Sequence, residues 1–149
     1  MKPTKALANT ISTLLAADTT ILANASAMKL ALITQPFTES LDRLAGDLTM
    51  ASASPLAPVA ATAGAQENGV DPVTGELKVE VKPPAGGFRW ETGTGFSGPV
   101  TIYGYALTNN AGSSLIGMQA LADPITLTGD NQSHTAPAIE FRIDPSKIN

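Results

Sequence analysis

One imidazole, His134, is available to the whole 149-residue chain, and there is no cysteine. Thiolate nucleophiles, thiolate metal sites and disulfides are therefore excluded, as is any mechanism that needs two histidines. Ser133 precedes His134, but neighbours on a strand point to opposite faces, so the two do not make a nucleophile and base. No strand-turn-helix nucleophile elbow accompanies them. His134 is expected as an exposed turn or strand residue. Glu39, Asp42 and Asp47 are close enough in sequence to suggest an acid/base pair. A glycosidase needs two carboxyls at a set separation across a sugar cleft, whereas these three flank one short element and read as a solvated surface. Asp130-Asn131 lacks the further oxygen ligands of a calcium loop. Gly93-Thr94-Gly95-Phe96-Ser97-Gly98 has the glycines of a phosphate loop but no Lys-Ser/Thr ending, and a strand rather than a helix follows it. The expectation is no enzyme, no metal and no cofactor.

Composition points the same way. Nine basic and 13 acidic residues give a formal net charge of −4, on a charged fraction of 15%, against about 25% for ordinary domains. No basic cluster offers a nucleic-acid footprint. The uncharged run Leu48 to Gln66 is interrupted by Pro55 and Pro58 and cannot form an apolar membrane helix. At the N-terminus, Lys2 and Lys5 before Leu14 and Leu15, with Ala23-Asn24-Ala25 beyond, imitate an export signal. Asn9, Thr10, Ser12 and Thr13 break its apolar centre, so an intact soluble chain is expected.

The elements that must position these residues are mostly strands. Thr4 to Ala17 predicts an amphipathic helix with Leu7, Ile11, Leu14 and Leu15 on one stripe and no charge on any face from Ala6 onward. Residues 1–26 thus read as a helical arm, and 27–149 as an antiparallel β-domain. Within that domain the dense run Leu30-Ala31-Leu32-Ile33 predicts a strand buried on both faces. Thr38 to Leu44 suggests a short helix with Leu41 and Leu44 inward, and Leu48 to Ala51 a short strand. Residues 52–69 read as a long loop.

Leu77, Val79 and Val81 alternate with Glu and Lys in a strand with one wet face. Val100 to Thr108 and Ser113 to Leu121 make a hairpin around Asn109-Asn110-Ala111-Gly112. Gly104 and Gly117 within it suggest bulges or close backbone approach. Ile125 to Thr128 reads as a further strand after Asp123-Pro124, and Ile139, Phe141 and Ile143 as the last. About eight short strands after one helix argue for an antiparallel β-sandwich or jelly-roll-like barrel. Phe88, Trp90, Tyr103 and Tyr105 fill its core or an interface, or else stack on sugars.

The stretch Lys82-Pro83-Pro84-Ala85-Gly86-Gly87-Phe88-Arg89-Trp90-Glu91-Thr92, followed by Thr101-Ile102-Tyr103-Gly104-Tyr105-Ala106-Leu107-Thr108, resembles a family of small virion structural proteins of tailed bacteriophages. Ser114-Leu115-Ile116-Gly117, Pro124-Ile125-Thr126-Leu127, the leading helix, Met28-Lys29-Leu30-Ala31-Leu32-Ile33 and Phe37-Thr38 extend the resemblance from about Thr4 to Ile143. It is a structural signature that carries no catalytic residues. The resemblance implies a virion component, assembled in the host cytoplasm, that decorates or cements the capsid. Its partners would be the major capsid protein and copies of itself, in a homo-oligomeric arrangement. Leu7, Ile11, Leu14 and Leu15 on the arm, the loop from Ser52 to Gly69, and Trp90, Tyr103 and Tyr105 are the candidate contacts. The alternative is a receptor- or glycan-binding module of a head or tail fibre, with the three aromatic residues as stacking platforms.

Overall fold

Leu30-Ala31-Leu32-Ile33 is the part of the chain most starved of polar side chains, and it becomes the inner strand of the largest sheet. The computed structural model describes residues 2–3, 28–61, 66–70, 77–81 and 83–143. Within these, the chain is mainly β with antiparallel pairing throughout and almost no helix. The strands are β1 (Lys2–Pro3), β2 (Met28–Ile33), β3 (Val59–Ala60), β4 (Gln66–Val70), β5 (Leu77–Val81), β6 (Arg89–Glu91), β7 (Val100–Asn109), β8 (Leu115–Leu127), β9 (Ser133–Thr135) and β10 (Ile139–Ile143). They form a five-stranded sheet β1-β8-β7-β2-β3, a three-stranded sheet β10-β5-β4 and a ribbon β6-β9.

β2 is buried on both faces, as its sequence demanded. Met28, Leu30 and Leu32 face the larger core cluster, joined by Val81 from β5, Trp90 from β6, Ile139 from β10 and Phe88. Ile33 faces a smaller cluster with Ala106, Leu115, Met118, Ala45 and Leu48. Cross-strand partners keep to one side: Leu32 opposes Tyr105 and Leu30 opposes Leu107, all four in the larger cluster. Each of these leucines is 0% exposed, so each contributes roughly 1.5–3 kcal/mol of apolar transfer free energy.

β7 does not hold a single alternation. Val100 and Ile102 meet the larger cluster, but so do Tyr105 and Leu107, an odd step in a period of two. The pairing with β8 jumps from Ile102–Ile125 to Gly104–Ala120. Leu121, Ala122, Asp123 and Pro124 therefore stand opposite Tyr103 alone. This bulge resets the phase of β7. It also explains how Pro124 is accommodated without a ladder N–H, so that β8 runs through the position where the sequence suggested a break. Gly104 is required at this point: a β-carbon there would collide with the Gln119 carbonyl oxygen and sit 2.7 Å from the Phe37 ring.

Other expectations are corrected. No helix forms over Thr38–Leu44; the segment turns at 41–42, and a single 3₁₀ turn follows at Ala45–Asp47. Leu41 and Leu44 point out, at 58% and 67% exposed, and Ala45 and Leu48 supply the buried contacts instead. The segment is held from both ends by long-range contacts, Phe37 over Gly104 and the Met50–Ile33 bridge, which override a weak helical pattern. Leu48–Ala51 is reduced to that bridge, supported by the Ala51 N–H on the Leu32 carbonyl at 2.9 Å. Residues 52–69 are not one loop: β3 pairs with β2 and β4 pairs with β5. In the N-terminal region, Lys2–Pro3 pairs with Met118–Gly117; the helix expected over Thr4–Ala17 lies outside the described residues.

Candidate functional site

Two regions bring chemically capable side chains together, one inside the core and one at a surface groove. In the core, β6 and β9 pair so that Trp90 opposes His134. Trp90, Tyr105 and His134 stack with nearly parallel rings: Trp90–Tyr105 centroids are 6.4 Å apart, Trp90–His134 6.2 Å and Tyr105–His134 5.8 Å. Tyr105 Oη and His134 Nε2 share a 2.6 Å hydrogen bond, and Trp90 Nε1 donates to the Ala57 carbonyl at 2.9 Å. Burial pushes the His134 pKa down and the Tyr105 pKa up. Both shifts favour the neutral forms, so the bond joins an uncharged phenol to an uncharged imidazole, with its direction set by the imidazole tautomer. The charged residues flanking Trp90, Arg89 and Glu91, are exposed and form an ion pair with each other.

Of the roles the sequence left open for the aromatic residues, Trp90 and Tyr105 take the core and not the partner- or sugar-contacting one. Trp90 and Tyr105 are each 2% exposed, so neither offers a ring face to a sugar or a surface to a partner. The three-residue ribbon β6 has one inward position, and the apolar body of Trp90 takes it while its N–H finds a carbonyl. His134 is a strand residue, one of the two places expected for it, but half-buried rather than exposed. Ser133, pointing to the other side of β9, is exposed and not joined to it. Tyr103, at the β7 bulge, is partly exposed and lies apart from the stack. Leu7, Ile11, Leu14 and Leu15 lie outside the described residues.

The carboxylates act as substitutes for backbone. Glu39 Oε1 accepts the Ala120 N–H of β8 at 2.7 Å, and Asp47 Oδ2 accepts the Leu44 N–H at 2.9 Å. Asp42 takes part through its backbone, its N–H reaching Ser40 Oγ at 3.3 Å. Asp130 grips the glycine-rich loop: its Oδ1 and Oδ2 accept the Phe96 and Gly95 N–H groups at 2.7 and 3.0 Å. Those two hydrogen bonds hold its carboxyl below the usual carboxylate range. The loop that resembles an anion cradle is thus filled by the chain's own carboxylate. Among the described residues, no group of three or more His, Asp or Glu is placed to hold a metal, and no helix is long and apolar enough to cross a membrane.

The loop so fixed forms one wall of an open groove of about 880 Å³. The opposite wall is the turn from Ser52 to Leu56, and the floor includes Val100 and Thr101 at the start of β7. Leu56, 5% exposed, roots the Ser52–Leu56 wall in the core. Thr92 roots the glycine-rich wall: its buried Oγ1 donates to the Gly129 carbonyl at 2.7 Å and accepts the Gln132 N–H at 2.8 Å. Gln132 Oε1 in turn accepts the Thr128 N–H at 2.7 Å, and Asn131 takes the left-handed φ of 56° that closes the turn. Both walls end on cis prolyl bonds, Ser54-Pro55 and Gly98-Pro99. The lining mixes hydroxyls (Thr34, Ser54, Ser97) with apolar surface (Met50, Phe96, Pro99) and contains no ionisable side chain.

The sequence marked each of the two loops as irregular but gave no sign that they meet. Only the pairing of β2 with β7, which sets Thr34 beside the start of β7, brings them together. A comparison of the chain with protein-family models, curated proteins and solved structures finds no match in any of the three.

Proposed function

We propose that this protein is a non-enzymatic structural component of a tailed-phage particle. It decorates or cements the capsid by docking against the major capsid protein and neighbouring copies of itself. The phage origin rests on the resemblance carried by Lys82–Thr92 and Thr101–Thr108. The physical reading rests on the groove, a sizeable concave surface lined entirely by uncharged side chains. Such a surface recognises by shape, apolar contact and hydrogen bonds, as subunit contacts do. The imidazole and several carboxylates are engaged in holding the fold: His134 on Tyr105, Glu39 on β8 and Asp130 on the glycine-rich loop. In this reading the sheets make an antiparallel sandwich of jelly-roll-like type. The larger core cluster, which draws on the five-stranded sheet, β5, β10 and the ribbon, supports it.

Quantitative mass spectrometry of purified particles from a phage that encodes this chain tests the proposal. Closed symmetric assembly leads to an expectation of tens to hundreds of copies per particle. Absence of the chain from particles that are otherwise complete would overturn it.

A further inference from the structure

The five-stranded sheet has two faces. One is filled by the larger core cluster, to which β5, β6 and β10 contribute Val81, Trp90 and Ile139. On the other, three rows of residues run across β2, β7 and β8: Ile33–Gly104–Ala120, Ala31–Ala106–Met118 and Lys29–Thr108–Leu115. Among the described residues, the segment that follows β2 covers the first row. Phe37 lies over Gly104, Met50 bridges Ile33, Glu39 reaches the Ala120 N–H, and Ala45 and Leu48 join Ile33 in the smaller cluster. The next two rows are buried too. Ala31, Ala106, Thr108, Leu115 and Met118 are each 3% exposed or less, although the third row stands about 13 Å from the first along the strands.

The path of the chain says what covers them. β1 pairs with β8 at Lys2–Met118 and Pro3–Gly117, heading toward the β7–β8 hairpin, and β2 begins at Met28 opposite Asn109. Pro3 and Met28 therefore stand at the same end of the sheet, on either side of that hairpin. With the order β1-β8-β7-β2 they are three strand spacings, or about 14 Å, apart. Residues 4–27 connect them and must pass the hairpin over one face or the other. The larger cluster occupies one face, which leaves the face whose second and third rows are buried. We propose that residues 4–27 dock on this face of their own sheet, with Leu7, Ile11, Leu14 and Leu15 set against Ala31, Ala106, Thr108, Leu115 and Met118. Length agrees: the helix that the sequence predicts over Thr4–Ala17 would be about 21 Å long, enough to cross three strands. Chemistry agrees as well. The sequence carries no charge from Ala6 to Ala17, and the only charged residue of the two rows is Lys29, half-buried on β2. The small pair Ala31–Ala106 leaves room for the branched side chains of the stripe. The stripe is then used inside the chain and is not among the surfaces open to a partner.

The proposal is independent of the virion reading, and the chain's lack of cysteine makes it testable with single thiols. Asn9→Cys, away from the stripe, carries a nitroxide label. The amide signals of Ala31, Thr108 and Leu115 should broaden strongly, while those of Val79 in β5 and Asp130 beside the groove stay sharp. When the nitroxide is carried only by chains invisible to the measurement, mixed with unmodified isotope-labelled chains, no signal should broaden. Sharp signals at Ala31, Thr108 and Leu115 in the labelled chain overturn the proposal. So does equal broadening in the mixture, which would put another copy's residues on the face. A second test reads the cover directly. Ala31→Cys should react with a thiol reagent about tenfold or more slowly than Ala111→Cys at the exposed hairpin tip, and adding Ile11→Asp should remove most of that protection with Trp90 emission unchanged. Equal rates for the two thiols, or protection that survives Ile11→Asp, overturn the proposal. The nitroxide experiment leaves the stripe intact and decides the matter by itself.

Discussion

Replacing Tyr105 with Phe isolates the hydrogen bond at the centre of the core stack. The ring, its 5.8 Å stacking distance to His134 and its burial at 2% exposure are all preserved. Only the hydroxyl that sits 2.6 Å from His134 Nε2 is lost. A neutral hydrogen bond contributes about 0.5–1.5 kcal/mol, and a buried polar group left without a partner costs about 1–3 kcal/mol. His134 is half-buried, so water partly replaces the lost partner, and the expected destabilisation is about 1–2 kcal/mol. For a chain of this length that corresponds to a fall in Tm of roughly 2–8 °C. Urea unfolding followed by Trp90 fluorescence gives the free energy directly. A cycle with His134→Leu should return a coupling of about 0.5–1.5 kcal/mol for the pair. The pH dependence adds an independent check. Burial lowers the His134 pKa, so the folded state resists a proton that the unfolded chain accepts near pH 6.5. Stability is then full above about pH 6.5, declines as the pH falls below that, and levels off beneath the lowered folded value. His134→Leu should remove this decline. If Tyr105→Phe unfolds with the wild-type midpoint, or if the two substitutions are additive within about 0.3 kcal/mol, the stack is not held by this bond and the reasoning fails.

Further predictions follow from other close contacts. Gly104→Ala forces a β-carbon against the Gln119 carbonyl and the Phe37 ring and should cost about 1–3 kcal/mol by calorimetry; a neutral result would show that the Phe37 strap yields freely. Thr92→Val removes a buried hydroxyl with partners at Gly129 and Gln132 and should cost about 1–3 kcal/mol, with loss of order confined to residues 128–132 in amide spectra. Leu30→Ala, at a fully buried site, should cost about 2–5 kcal/mol in chemical denaturation. Asp130→Asn deprives Gly95 or Phe96 of its carboxylate acceptor, and their amides should exchange with solvent faster while those of β2 stay protected. Because hydrogen bonding depresses the Asp130 pKa below 3.8, the wild-type loop should keep its protection above that pH and lose it as the pH drops through the lowered value. Unchanged exchange in both experiments would mean that the loop holds its shape without the carboxylate.

Local pattern made the paired strands readable. Continuous apolar residues marked β2 as doubly buried, alternation marked β5, and the Asn109–Gly112 turn marked the β7–β8 hairpin. Gly104 was legible as a point of close approach because glycine in a strand has few other uses. What local pattern could not carry were contacts across long separations. Leu41 and Leu44 have helical spacing, but the path of their segment is set by Phe37 on Gly104 and Met50 on Ile33. His134 looked exposed because the hydroxyl it pairs with on the inner side is 29 residues away. Pro124 read as a strand end because its missing N–H matters only if the ladder needs it, and the bulge opposite Tyr103 removes that need. For the candidate site, the sequence supplied both loops and the carboxylate of Asp130 but not their meeting, which depends on strand order.

The bulge between β7 and β8 decides more than the interior. Upstream of it, the shifted phase points Val100 and Ile102 inward and leaves the Thr101 hydroxyl to share a 3.0 Å hydrogen bond with Thr126 at the surface. The frame of one half-strand is therefore written by the irregularity in the middle, where four residues of β8 face one of β7. Restoring one-to-one pairing there would turn three side chains over at once, and the recess at the strand's beginning would acquire a different floor without any of its own residues having been altered.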